Sequence, residues 1–355
     1  MSASSSYAES GAGAVYALTN QVTGNAVTAF NRAADGTLTM AGTFLTGGFG
    51  NGRPGLVDPL GSQDSLILSA DNRFLFAVNA LSDEISVLAV DQDRLTLVDI
   101  VASGGRQPVS LALHSNLLYV LNSGAGTITG FTLDTEGKLT PLDGSTQTLS
   151  GGISGASAQV GFTPDGNLLV VTEKVTATIA TFAVDEGGLA GPPMPNSSNG
   201  ESPFGFVIAR NDLLIVSEAM FSTPAGATSS YRINENGKLD VISESVSTNQ
   251  IGACWAVVND KVDPSYTYVS NSGSAAISGY AIGDNGTLSL LDADGRTATT
   301  GAFPVDMAVA AGQFLYTLVE GPGTVEGFRI GSDGSLTPVG VVGGLPGGSE
   351  GLTAY

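Results

Sequence analysis

One cysteine in 355 residues excludes an internal disulfide framework and any cysteine-based zinc site. One histidine excludes a His-rich metal centre and leaves His-dependent catalysis a single candidate. Charged residues make up only 13% of the chain, and they are lopsided: 33 acids against 13 bases give a net charge of −20. Nucleic acid and anionic membranes both recruit basic surface, so neither is a partner this composition can serve. No run of about 18 apolar residues occurs, so no segment reads as a membrane-spanning helix. The opening MSASSSYAESGAGA lacks both a basic and an apolar stretch, so no signal peptide is visible. A soluble monomer is expected, cytoplasmic or secreted after processing. Asn196-Ser197-Ser198 and Asn285-Gly286-Thr287 have the form of glycosylation acceptors and fall in expected loops.

Glycine and apolar residues are abundant instead. Glycine occupies 49 positions, and 42% of the chain is hydrophobic, enough for a sizeable core with many tight turns. A phrase recurs along the sequence: a small residue, a β-branched residue, an aromatic, an Asp/Asn-Gly turn, then Leu-Thr. It is clearest in GTITGFTLDTEGKLTP from Gly126 and GTVEGFRIGSDGSLTP from Gly323. The anchors are Phe30, Leu88, Phe131, Phe182, Tyr231, Tyr280 and Phe328, spaced by 58, 43, 51, 49, 49 and 48 residues. A strand-turn-strand unit at a period of about 48 residues indicates propeller blades. The Asp-Gly and Asn-Gly pairs supply the positive φ of tight hairpins, and no segment sustains a helical period. The expected fold is all-β: a seven-bladed β-propeller with four-stranded antiparallel blades. The first repeat begins at its second strand, and the terminal SEGLTAY reads as an orphan inner strand. Joining the two closes the ring and removes exposed sheet edges. Residues 1–13 read as a flexible tail and 14–355 as one propeller domain, interrupted by a Gly/Pro-rich insertion at 46–63.

Residues at the start of each inner strand and the end of each second strand converge on one mouth of the central channel. Aligning the repeats puts Ser65, Ser110, Gln159, Gly205, Trp255, Asp306 and Glu350 on the inner ring. Asn20, Asn79, Asn122, Glu173, Glu218 and Asn271 end the second strands, with Val319 and the adjoining Glu320 in the last blade. Variation at equivalent positions is what a bound ligand would require. Glu173, Glu218 and Asp306 are therefore the candidate catalytic groups, since neighbouring carboxylates that share a proton supply an acid and a base. The competing role is to bond loop N–H groups. Ser110, Asn122, Gln159, Asn271 and Glu350 are candidate substrate-binding groups, with Phe204 and Trp255 as an apolar wall or as blade packing. Cys254 reads as a small buried hydrophobe, and His114 as a turn residue at the far end of its blade. Arg106 and Lys174 are the nearest cations. No Asp-rich metal loop or nucleotide motif occurs, so no metal or cofactor is expected.

The repeats, the Pro164-Asp165-Gly166 turn and the DGSLTP blade ending resemble the lactonase-type seven-bladed propellers, over nearly the whole chain. That superfamily includes phosphogluconolactonase and carboxymuconate lactonizing enzyme. VVTEK (170–174), SPFGF (202–206), VSEA (216–219) and ACW (253–255) are similar to a less characterised branch. The resemblance implies a site at the central mouth and an acidic position at Glu173. Three functions are open: lactone opening or closing with carboxylate acid/base; a cyclase that folds an organic substrate by orientation; and a binding scaffold without turnover.

Overall fold

The computed structural model describes residues 12–53, 55, 57–91, 94–219, 226–259 and 264–355. The expected tail lies almost wholly outside them. Seven antiparallel sheets follow one another around a ring, each with four strands; six run in sequence order from hub to rim, and the first takes its hub strand from the C-terminal end of the chain. Two of the sheets carry an extra two-residue strand, Gln147–Thr148 and Ala298–Thr299. Only two short 3-10 turns, Gly152–Gly155 and Arg210–Asp212, interrupt the β structure among the described residues. No described helix is long and apolar enough to cross a membrane.

The second strands are the most hydrophobic, and they are buried from end to end. Phe74–Asn79, Leu168–Glu173, Leu213–Glu218 and Phe314–Val319 have no residue open to solvent. A strand packed on both faces by neighbouring blades needs such a continuous apolar run. The aromatic anchors Phe30, Phe131, Phe182, Tyr231 and Tyr280 are all fully buried in the third strands. The fourth strands mix exposed and partly buried residues, because only one of their faces meets a neighbour. Asn196 corrects one sequence expectation: it lies in an outer strand, Met194–Ser197, where its amide bonds the carbonyls of Ile179 and Gly237.

The ring closes as the orphan strand requires. Leu352–Ala354 pairs antiparallel with Gly13–Leu18, setting Leu352 opposite Ala17 and Ala354 opposite Val15. Flanking backbone bonds join Leu18 N to the Gly351 carbonyl and Glu350 N to the Leu18 carbonyl. The Arg32 guanidinium clamps the Tyr355 carbonyl at 3.1 Å.

Five inner strands carry a register shift near their first residues, at Pro108/Ser110, Ser157/Gln159, Pro203/Phe206, Ala253/Ala256 and Pro304/Asp306. A bulge inserts an extra residue and re-aims its neighbours. Repeated around the hub, it brings the side chains of one end of each inner strand to the channel.

Candidate functional site

The residues that end the second strands do gather at one face, and their variation has a structural source. Asn20, Asn79, Asn122, Glu173 and Glu218 each pin a loop leaving the preceding blade's outer strand, whereas Asn271 bonds within its own blade. The Asn122 amide donates to the Ser103 carbonyl at 3.0 Å, a partner only a donor can serve. Glu173 instead faces N–H groups and accepts from Ser150 and Gly151. Glu218 accepts from Gly200 N and from the hydroxyls of Ser229 and Ser245. Asn79 accepts from Thr46 and Asn25 while donating to Ser86, and Asn271 donates to Ser278. The choice between amide and carboxylate follows the polarity of the facing backbone. Glycines make room for the contact: a Cβ on Gly48, Gly105, Gly155 or Gly200 would overlap Asn79, Asn122, Glu173 or Glu218.

Glu173 and Glu218 are fully buried. Burial pushes both carboxyls up from their ordinary range, and the hydrogen bonds from their loops act against that. No hydrogen bond joins the two, so the proton-sharing pair expected from adjacent blades is not formed between them. Asp306 is held by the residue that follows it and by the closing strand, accepting from Met307 N and Leu352 N. Ser110 accepts from Val160 N, and Gln159 bridges to Asp64 and to both backbone groups of Phe206.

The insertion changes the picture most. It folds inward over the mouth as a plug. Leu60 N and Ser62 N donate to the two oxygens of Glu350 at 2.9 and 3.2 Å. Trp255 Nε1 donates to the Ser62 carbonyl at 2.7 Å, and the Ser62 hydroxyl to the Val109 carbonyl. Gln63 reaches across the hub to both backbone groups of Ala256. Asn51, earlier in the insertion, bonds Asn20 and the Pro59 carbonyl. Phe204 and Trp255 meet edge to face at 5.0 Å beneath this cover and are 2% and 1% exposed. They are therefore not an open wall for a ligand.

The plug also assembles a constellation. Asp58 lies carboxyl to carboxyl against Glu350, an approach that requires one of them to hold a proton. Burial and the Asp58 charge push Glu350 well above the usual carboxylate range. Burial raises Asp58 too, and the Lys174 charge and the Glu350 carboxyl act against that shift. Asp58 Oδ1 is buried and has no hydrogen-bond donor among the described residues. Lys174 Nζ donates to the Gly61 carbonyl and sits 4.8 Å from the centre of the Phe204 ring. Burial lowers the Lys174 amine from its ordinary value, and Asp58 and Glu350 oppose that shift. Cys254 is enclosed beside this group, with burial holding its thiol in the neutral form. His114 ends its inner strand at the opposite end, tilted on Phe162 at 5.8 Å. Among the described residues, no three His, Cys, Asp or Glu side chains are arranged to hold a metal.

Sequence reasoning missed Asp58, because it lies in the insertion and has no equivalent in the repeat register. The available signal was the first anchor spacing of 58 residues, about ten longer than the others, in a stretch carrying Asp58 and Asp64.

The profile of the family described as "Lactonase, 7-bladed beta-propeller" matches residues 61–152. No curated protein matches the chain. Among solved structures, the periplasmic gluconolactonase of Pseudomonas aeruginosa superposes with a TM-score of 0.74 at 14% identity, covering 97% of this chain and 99% of that one. A protein from Lactobacillus plantarum gives 0.75 at 18% identity, over 97% and 99%. Virginiamycin B lyase from Staphylococcus aureus gives 0.53 at 15%, over 80% and 86%. Such identities speak for the fold alone. The family match falls on the second and third blades, and the whole ring has the fold of the lactonase-type seven-bladed propellers.

Proposed function

We propose that this protein opens the ring of a small organic lactone at the hub mouth, with Asp58 and Lys174 as the reacting-site groups and Glu350 as the residue that holds Asp58 ionised. The observation that carries the reading is Asp58 Oδ1, a buried oxygen without a donor beside a half-buried lysine. Natural structures leave few such atoms unpaired without a use for them. In the reaction, the Lys174 ammonium polarises the lactone carbonyl, and the Asp58 carboxylate takes a proton from the attacking water. The new C–O bond forms, the ring C–O bond breaks, and the leaving oxygen receives the proton from Asp58, giving a hydroxy acid. Glu173, Glu218 and Asp306, each committed to its own loop, support the scaffold.

The partner class follows from the same geometry: a small organic molecule, bound without a cofactor. Phe49, Leu81, Ile153, Val175, Ile251 and Phe303 are exposed in loops of this same face. That apolar rim favours a substrate with an apolar body, and with it the second reading, a cyclase that works by orientation.

The test is acid release from δ-gluconolactone and γ-butyrolactone, followed at constant pH and corrected for spontaneous hydrolysis. Asp58→Asn and Lys174→Met should each lower kcat/KM by about a hundredfold, while their melting temperatures stay near that of the parent. Glu173→Gln should lose stability rather than turnover. Absence of hydrolysis by the parent, or full activity in Asp58→Asn, would sink the lactonase reading. Quenching of Trp255 by apolar lactones without acid release would support the cyclase.

A further inference from the structure

The channel has a second opening. At the end away from the plug, the latter halves of five inner strands line a funnel of about 400 Å³. Its wall combines the polar backbone of these strands with the half-buried aliphatic side chains of Val207, Ile208, Val258 and Val309. A second lobe of about 400 Å³ opens beside it, towards His114. The two lobes share Asp64, Gly161, Phe162 and Ile208. Asp64 is therefore the carboxyl on which the whole cavity converges.

Its surroundings suit a cation. The one side-chain donor to Asp64 is the Gln159 amide, at 2.6 Å on Oδ2. No lysine or arginine lines either lobe. Asp306 stands behind Asp64 with both oxygens already used by backbone N–H groups, and the two carboxyls act on each other. A carboxylate enclosed at the hub, with one neutral donor and no lysine or arginine beside it, is under strong drive to acquire a cation. The backbone reinforces the placement. Asp64 has φ of +63° and gives its carbonyl to Leu111 N, so its position is fixed by the fold.

We propose that this far end of the channel binds a small alkylammonium ion, its charged head on Asp64 and its aliphatic body against Val207, Ile208, Val258 and Val309. This site is separate from the lactone site, since the plug residues Leu60 to Gln63 lie between them. Its ligand class is set by three features together: one acceptor-only head, a cavity of about 400 Å³, and the absence of any lining lysine or arginine to receive an acid.

The test is titration calorimetry with hexylammonium, hexanol and hexanoate at pH 8, on the full chain. Hexylammonium should bind about tenfold or more tightly than hexanol, and hexanoate weakest. Asp64→Asn should remove the preference for the amine and leave hexanol unchanged. Asparagine adopts positive φ readily and can still accept from Gln159, so this variant keeps the local fold. Val309→Trp, at a half-buried lining position, should exclude amine and alcohol alike. Equal affinities for amine and alcohol in the parent, or a preference that survives Asp64→Asn, would overturn the proposal. Binding of hexylammonium undiminished in Val309→Trp would place it elsewhere on this acidic protein and overturn it equally.

Discussion

A chain ended after Gly348 should lose at least about 4 kcal/mol of stability, a large part of what a folded domain possesses. The loss comes from three sources that the last seven residues supply together. Leu352 is 5% exposed and packs in the hub; burial of a leucine contributes about 1.5–3 kcal/mol. The antiparallel ladder to Gly13–Leu18, with its flanking bonds, adds about 1 kcal/mol for each bond that is not replaced by water. Removing Glu350 and the Leu352 amide leaves Leu60 N, Ser62 N and one oxygen of Asp306 buried without partners. The first blade then has an open inner edge at the centre of the ring. In urea, the midpoint should fall sharply and the transition should broaden as the first blade loosens before the rest. The peptide Ser349–Tyr355 added in trans should restore part of the midpoint, because an exposed strand edge is a template for strand addition. A truncated chain that unfolds at the parent's midpoint would show that the ring does not depend on this closure.

The closure was legible in the sequence for a physical reason: a repeat truncated at one terminus and an orphan strand at the other have a single economical solution. The blades were legible because the aromatic anchors and Asx-Gly turns recur with the sheet unit, and the buried second strands read as continuous apolar runs. The hub was only partly legible. Glu173 and Glu218 were found at the right face, but register alone cannot tell an acceptor that answers a backbone N–H from one kept for a substrate. That distinction needs the facing loop, some 18 to 23 residues away in sequence. The plug was less legible still. Its Gly/Pro-rich composition reads as a surface loop, and its anchors Glu350 and Trp255 lie nearly 200 residues or more along the chain. Asp58 and Asp64 could be placed in the hub only through those long-range contacts.

The protein should be more stable at pH 5 than at pH 8, opposite to the behaviour of proteins held by ionised, salt-bridged acids. The buried carboxyls decide the sign. Burial raises Asp64 from 3.8 to about 7, and raises Asp306, Glu350, Glu173 and Glu218 as well. Between the ordinary carboxylate values and these raised ones, the folded chain holds protons that the unfolded chain has released. Stability from each such group is therefore fully present at about pH 4 and is lost as pH rises through its folded value. For Asp64 alone this amounts to roughly 4 kcal/mol, at about 1.4 kcal/mol per unit. Exposed turn acids work the other way. Asp35, Asp71, Asp165 and Asp333 accept local bonds that lower them, so their contribution disappears only as pH falls below 3.8. The optimum should lie at about pH 4–5, with a steady decline to pH 8. Self-repulsion of a chain with net charge −20 has the same sign, but salt screens it and does not screen buried groups. Urea midpoints measured in 0.5 M salt therefore isolate the buried acids. Asp64→Asn, which cannot ionise, should flatten the decline and be more stable than the parent at pH 8. A midpoint that rises from pH 5 to pH 8 in high salt would mean that the hub carboxyls are ionised in the folded chain, and that neither the Asp58–Glu350 proton nor the buried setting of Asp64 is as described.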